Sequence, residues 1–305
     1  MTKHIFFLLF SFLFSTTAVA QETIPLYPGA IPNSKPATQK EIHRPDAVVD
    51  TVISGVSEPT LTIYTAAAPA GKKTPAVIIC PGGGYGVLCI KMEGEKIARA
   101  FNKAGITAVV LKYRLPGSGA MPDPSMAPLQ DLQQAIKQVR EQAASRGIDK
   151  DRIGIMGFSA GGHLAATAGT HFQQSYIENS SKTNLRPDFM ILVYPVISFT
   201  DTVGHIGSRN NLLGANPSPE AIRFFSNEFH VTAETPPTLL LLPDDDQVVP
   251  PQNSLSFLKE LRNHKVPASL HMYAKGDHGF LKGPPFDEWF GRVLYWMKEM
   301  HYGAD

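Results

Sequence analysis

With 28 lysines and arginines against 27 aspartates and glutamates, the 305-residue chain has a formal net charge of +1, which excludes the electrostatic footprint of a nucleic-acid or anionic-membrane binder. Hydrophobic residues make up 43% of it and no tract is of low complexity, so it is not a disordered chain and has the means to bury an ordinary core. Its length fits a single α/β domain.

The chain opens Met1-Thr2-Lys3-His4, runs apolar from Ile5 to Phe14 and reaches Ala18-Val19-Ala20. A basic start, an apolar middle and a small-residue cleavage site predict a secretory signal peptide over residues 1–20, and hence a periplasmic or secreted protein. The apolar run is well short of the ~20 residues that span a bilayer, so no membrane anchor remains after cleavage. Cleavage also removes Lys3, leaving basic and acidic residues equal in number.

Over residues 21–45, Pro25, Pro28, Pro32, Pro36 and Pro45 deny the chain a helix and predict an extended N-terminal arm laid over the domain. Residues 48–53 and 60–65 alternate as a half-buried pair, an antiparallel N-terminal hairpin turning at Ser57-Glu58-Pro59. After that the period changes. Apolar strands at 76–80, 106–111, 152–156, 189–193, 238–242 and 269–273 alternate with helices at 93–104, 129–144, 160–170, 254–264 and 289–300. This predicts an α/β domain over 46–305, with a mostly parallel sheet and helices on both faces. Residues 195–237 break the alternation and read as a short cover insertion over the carboxyl edge of the sheet, where open α/β folds bind ligands.

Gly157-Phe158-Ser159-Ala160-Gly161 fits G-x-S-x-G between an apolar strand and a small-residue helix, the context in which a sharp turn exposes a nucleophilic serine. A serine hydroxyl needs a base. Among ten histidines, His271 within a strand and His264 at a helix end read as packing or surface residues. His278, in the glycine-flanked Gly276-Asp277-His278-Gly279-Phe280 after the last strand, takes the base role. The acid belongs after the strand at 238–242, where Asp244, Asp245 and Asp246 follow one another; the D-x-x-V-P spacing selects Asp246 over Asp245. Calcium binding by this run would want further spaced ligands, and none accompany it.

Three glycines in Pro81-Gly82-Gly83-Gly84-Tyr85 follow the strand at 76–80. A phosphate cradle would continue into Lys-Ser or Lys-Thr, whereas amides facing an oxyanion need no such residue; Ala160, after the serine, supplies a further amide. Cys80 and Cys89 flank this loop and read as half-buried small side chains, since a bridge needs Cα atoms within ~7 Å and the loop does not fix their separation.

The motifs "CPGGGY", "VLKYRLP", "GFSAGGHLA", "DDQVVPPQNSL" and "GDHGF" occur in an order similar to that of α/β-hydrolase esterases related to acetylxylan esterases and bifunctional feruloyl and acetyl xylan esterases. The resemblance spans the chain beyond the signal peptide and implies an α/β-hydrolase fold. It further implies Ser159 as nucleophile, Asp246 and His278 as its partners, Gly83, Gly84 and Ala160 as oxyanion donors, and chemistry with no cofactor or metal. The chain departs from many relatives at Pro81 and at Pro243, where histidines are frequent. Small acyl esters on carbohydrate, such as acetylated xylan, are the implied substrates, with feruloyl or general short-chain esters as alternatives. A serine aminopeptidase would need a larger extra domain, and a non-catalytic adhesion module would not need the triad.

Four further readings complete the sequence. His163, one turn into the nucleophile helix, reads as a packing residue, and Asp131 as a surface or capping charge. Tyr194-Pro195 reads as a wall of the site. Trp289 and Trp296 share one helical face and belong to the core.

Overall fold

In the computed structural model, which describes residues 21–304, the strands in chain order are β1 (Gln21–Pro25), β2 (Ile42–Asp46), β3 (Asp50–Ser54), β4 (Thr60–Tyr64), β5 (Thr74–Cys80), β6 (Thr107–Lys112), β7 (Ile148–Phe158), β8 (Met190–Val193), β9 (Thr238–Pro243) and β10 (Ala268–Tyr273). The helices are α1 (Lys96–Lys103), α2 (Ala127–Glu141), α3 (Ser159–Thr170), α4 (Ile206–Leu213), α5 (Pro219–Phe224), α6 (Gln252–Asn263) and α7 (Phe286–Glu299). The predicted signal peptide, residues 1–20, lies outside the described residues.

Eight strands form one sheet in the order β1-β4-β6-β5-β7-β8-β9-β10, parallel from β6 to β10 and antiparallel at β1 and β4. Because successive side chains of a strand face opposite ways, β5 feeds two cores. Ala76, Ile78 and Cys80 enter the core shared with Leu132 of α2, Leu164 of α3 and Phe257 of α6. Val77 and Ile79 enter the other, with Phe101 of α1 and Val293 of α7. A strand buried on both faces must be apolar at every position, which is why these strands read as unbroken runs. Trp289 and Trp296 lie in the second core. The strands from β6 to β10 point the same way, so their carboxyl ends share one edge, and the loops leaving β5, β7, β8, β9 and β10 converge there.

The N-terminal region differs from expectation in its pairing. Residues 48–53 and 60–65 do not pair with each other: β3 pairs with β2 in a separate ribbon, and β4 lies between β1 and β6. The reason is burial. Leu61 and Ile63 are 0% and 2% exposed, and they reach that burial within the large sheet. Val48 and Val49 form the turn of the ribbon, donating their amides to Asp46 Oδ1 at 2.8 and 3.0 Å. The arm is likewise more than a cover, since its first residues form the edge strand β1; Pro25 ends that strand, where a missing amide costs the sheet little.

Asp131 is not a surface or capping charge. It is fully buried, 2.7 Å from Arg114 Nη2, and accepts from the Arg114 amide at 2.8 Å and the Tyr27 hydroxyl at 3.0 Å. Arg114 Nη1 also donates to the Pro32 carbonyl at 2.8 Å, so this pair fastens the arm to α2. Burial raises the Asp131 carboxyl, and Arg114 opposes the rise. The two cysteines are free thiols, Cys80 buried and Cys89 half-buried.

Candidate active site

The turn from β7 into α3 is built by exclusion of side chains. A Cβ on Gly157 would collide with the Gly161 carbonyl, and one on Gly161 with the Cys80 carbonyl, so both positions must be glycine for helix and strands to approach this closely. Between them Ser159 is held at φ 51°, a left-handed conformation costing of order 1–3 kcal/mol for a residue with a side chain. Tyr194, Asp277 and Phe280 also have positive φ, at 37°, 57° and 54°. These four residues lie around one point on the carboxyl edge of the sheet.

At that point the structure brings three of the predicted residues together. Ser159 Oγ is 2.9 Å from His278 Nε2, and His278 Nδ1 is 2.7 Å from Asp246 Oδ2. Asp246 is an acceptor only, so Nδ1 carries the proton and Nε2 is free to accept from the serine. The other Asp246 oxygen, Oδ1, accepts the Val248 and Val249 amides, each at 2.8 Å, which locks the carboxylate plane. Asp245 does not touch His278; its Oδ1 accepts the Asp277 amide at 2.9 Å and so shapes the loop that carries the histidine. Asp244 is exposed.

The glycine loop after β5 lines the same cleft through Gly83 and Gly84. Each of its carbonyls is occupied. Gly82 O accepts from the Cys89 amide at 3.0 Å, Gly83 O from the Gly86 and Val87 amides at 3.1 Å each, and Gly84 O from Asn211 Nδ2 at 2.8 Å. A trans peptide points its N–H opposite its C=O, so pinning Gly82 O and Gly83 O fixes the directions of the Gly83 and Gly84 amides. Among the described residues these two amides donate to no protein acceptor. The Ala160 amide sits in the first turn of α3, where unpaired N–H groups and the helix dipole favour negative charge.

The cleft over Ser159 has a volume of about 210 Å³. Its far walls come from residues that sequence periodicity could not place: Val49 from the ribbon turn, His205 from the insertion, and Val248 and Leu281 from the loops after β9 and β10. From residues 195–237, His205 lines the cleft and α4 grips the glycine loop through Asn211. His205 Nδ1 accepts the Ser208 amide at 3.3 Å, which leaves its proton on Nε2; burial lowers its affinity for a second one. Tyr194 packs edge-on against His278 with ring centroids 5.1 Å apart and lines the cavity beside the cleft, not the cleft over Ser159 itself. His163 does not reach the cleft: it is fully buried, donates Nε2–H to the Phe225 carbonyl at 2.7 Å and accepts from Tyr85 at 2.8 Å.

One buried residue beside the cleft had no role in the sequence reading. Glu93, in the π-helical turn Ile90–Glu95, accepts the Gly82 amide at 2.6 Å and the Tyr194 hydroxyl at 3.0 Å. Burial raises its carboxyl above the usual range, and the Gly82 amide, the Tyr194 hydroxyl and the nearby His278 hold it back. A signal was available: Glu93, Ile97 and Phe101 are spaced by four, which puts a carboxylate on the buried face of an amphipathic segment.

Among known proteins, residues 61–261 match the model of the BD-FAE family. The chain is 37% identical over 209 residues to endo-1,4-beta-xylanase B of Butyrivibrio fibrisolvens and 36% identical over 226 residues to an acetylxylan esterase of Xylanibacter ruminicola. These alignments cover 68% and 73% of this chain but 32% and 43% of those proteins, so the chain spans less than half the length of either. A crystal structure of an acetyl ester-xyloside bifunctional hydrolase from Caldicellulosiruptor lactoaceticus superposes with a TM-score of 0.76 at 34% identity, covering 92% of this chain and 97% of that one.

Proposed function

The chain belongs to the BD-FAE family of α/β-hydrolase esterases, and from that premise we propose that it is a secreted serine carboxylesterase removing short acyl groups, acetyl above all, from plant polysaccharide such as acetylated xylan. The observation that carries this reading is the unbroken relay from Ser159 through His278 to Asp246 at 2.9 and 2.7 Å, opening into a cleft of only about 210 Å³. Ligand pockets for larger molecules run to about 300–1,000 Å³, so the space over the serine suits a small acyl group while the alcohol side remains outside.

In this reaction Ser159 Oγ attacks the ester carbonyl as His278 Nε2 takes its proton, and Asp246 holds the imidazole in the tautomer that can accept it. Charge arriving on the carbonyl oxygen meets the Gly83, Gly84 and Ala160 amides, already oriented and needing no rearrangement. His278 then protonates the departing sugar hydroxyl, and water repeats the sequence on the acyl-enzyme to release the acid.

A second reading, an aromatic acyl group, is favoured by one feature. A cavity of about 510 Å³ adjoins the cleft through Met92, Glu93 and Leu281 and is walled by Tyr194, Phe280, Phe286 and Trp289. Nitrophenyl esters of increasing acyl length, together with acetate and ferulate release from native xylan, separate the two. The acetyl reading expects kcat/KM highest for acetate, a steep fall beyond butyrate, and acetate liberated from the polysaccharide. A preference for octanoate overturns the small-cleft argument, and ferulate without acetate selects the second reading.

A further inference from the structure

Among the described residues three carboxylates are buried: Asp131 at 0% exposure, Glu93 at 5% and Asp246 at 6%. Asp131 is neutralised by Arg114 and Asp246 faces His278, whereas no ion pair is formed by Glu93 among the described residues. A buried carboxylate without a cation is costly to the fold, and a hydrophobic residue of similar volume would often be neutral or stabilising in its place. Its two hydrogen bonds show what it does. Oε2 accepts the Gly82 amide, one residue before the oxyanion glycines, and Oε1 accepts the hydroxyl of Tyr194, whose ring lies against His278. The approach is tight, since a Cβ on Gly82 would come 2.8 Å from Glu93 Oε2 and 3.0 Å from Ser159 Cβ. The π-helical turn that presents Glu93 is itself a rare device, frequently found at functional sites.

We infer that Glu93 is a positioning residue for the reaction: one carboxylate oxygen sets the oxyanion loop, the other sets the aromatic wall behind the base, and the two halves of the site are held in register by a single side chain. The loop is then fixed at both ends, by Glu93 on the Gly82 amide and by Asn211 on the Gly84 carbonyl. Glu93 contacts neither Ser159 Oγ nor the ring nitrogens of His278, so its effect passes through Gly82 and Tyr194.

This inference rests on the ester-hydrolysis reading, and the test keeps the two apart. Purified wild type, Ser159→Ala, Glu93→Met, Glu93→Gln and Tyr194→Phe are compared on nitrophenyl acetate for kcat and KM, with melting temperatures alongside. Glu93→Met fills the volume and removes both acceptors; its kcat is expected to fall by about 10²–10³, the range seen on loss of an oxyanion donor, with KM little changed and the fold retained. Glu93→Gln keeps an oxygen for the Gly82 amide and offers its own N–H to Tyr194 Oη, so it should recover most of the lost kcat. Wild-type kcat in Glu93→Met, a loss confined to KM, or Glu93→Gln as impaired as Glu93→Met overturns the inference. Should Glu93→Met not fold, Tyr194→Phe decides, because it removes only the hydroxyl: a lower kcat at unchanged KM supports the role and an unchanged kcat refutes it. An active Ser159→Ala would instead refute the underlying function.

Discussion

Replacing Asp246 by asparagine tests the relay where its geometry is most constrained. Oδ1 accepts two backbone amides at 2.8 Å, a position only an oxygen can fill, so the asparagine oxygen must stay there. Its NH₂ group is then forced to the Oδ2 position, 2.7 Å from His278 Nδ1. Two donors cannot face each other, and the imidazole shifts its proton to Nε2, where it meets Ser159 Oγ and can no longer take the serine proton. The same tautomer error in a serine protease triad costs about 10⁴ in kcat, equivalent to roughly 5.5 kcal/mol of transition-state stabilisation. Asp245→Asn is the internal control. It keeps an acceptor for the Asp277 amide and loses only a 3.9 Å approach to the exposed Lys275, so it should lose little. Initial rates on nitrophenyl acetate for both variants give the comparison. Asp246→Asn within an order of magnitude of wild type, or Asp245→Asn the more damaged, would refute the reasoning.

Two further predictions concern stability. Asp131→Leu should lower the unfolding free energy by about 3–5 kcal/mol, because it strands the fully buried Arg114, and the double variant with Arg114→Met should recover much of the loss; urea unfolding of the three proteins decides, and a cost no larger than that of breaking the exposed Lys150–Asp151 pair would contradict it. Burial pushes His163 from 6.5 down to about 3, so between those values the unfolded chain binds a proton that the folded one does not. Its contribution is fully present above pH 6.5 and is lost as the pH falls, by about 1.4 kcal/mol per unit. Unfolding titrations should show a shallower acid limb for His163→Gln than for wild type, and equal slopes would refute the assignment.

What the sequence makes legible follows from how local the cause is. The serine turn can be read because its G-x-S-x-G spacing is local, with Gly157 demanded by the Gly161 carbonyl of the same turn, and the doubly buried strands because their periodicity records both faces at once. The D-x-x-V-P spacing singled out Asp246 among its aspartate neighbours, and the glycine-flanked loop after the last strand singled out His278. The pairing of β3 and β4 was not legible, since two alternating segments joined by a turn look alike whether they pair with each other or with third strands. Asp131 was misread for a related reason: its partner Arg114 lies in the loop after β6, and a charge on a helix looks exposed until that partner is known. Val49 and His205 reach the cleft from segments far apart in the chain, a convergence that no local pattern encodes. Glu93 left a trace in its four-residue spacing with Ile97 and Phe101, although its partners, Gly82 and Tyr194, appear only in three dimensions.

The central claim is that Ser159 forms an acyl-enzyme on the way to releasing a short acyl group. Treating the protein with a fluorophosphonate while following acetate release from acetylated xylan, then mapping the adduct by peptide mass, tests it most directly. One adduct is expected, on Ser159, with acetate release falling in proportion to labelling and both absent in Ser159→Ala. Acetate release that survives complete labelling, or persists in Ser159→Ala, would contradict it.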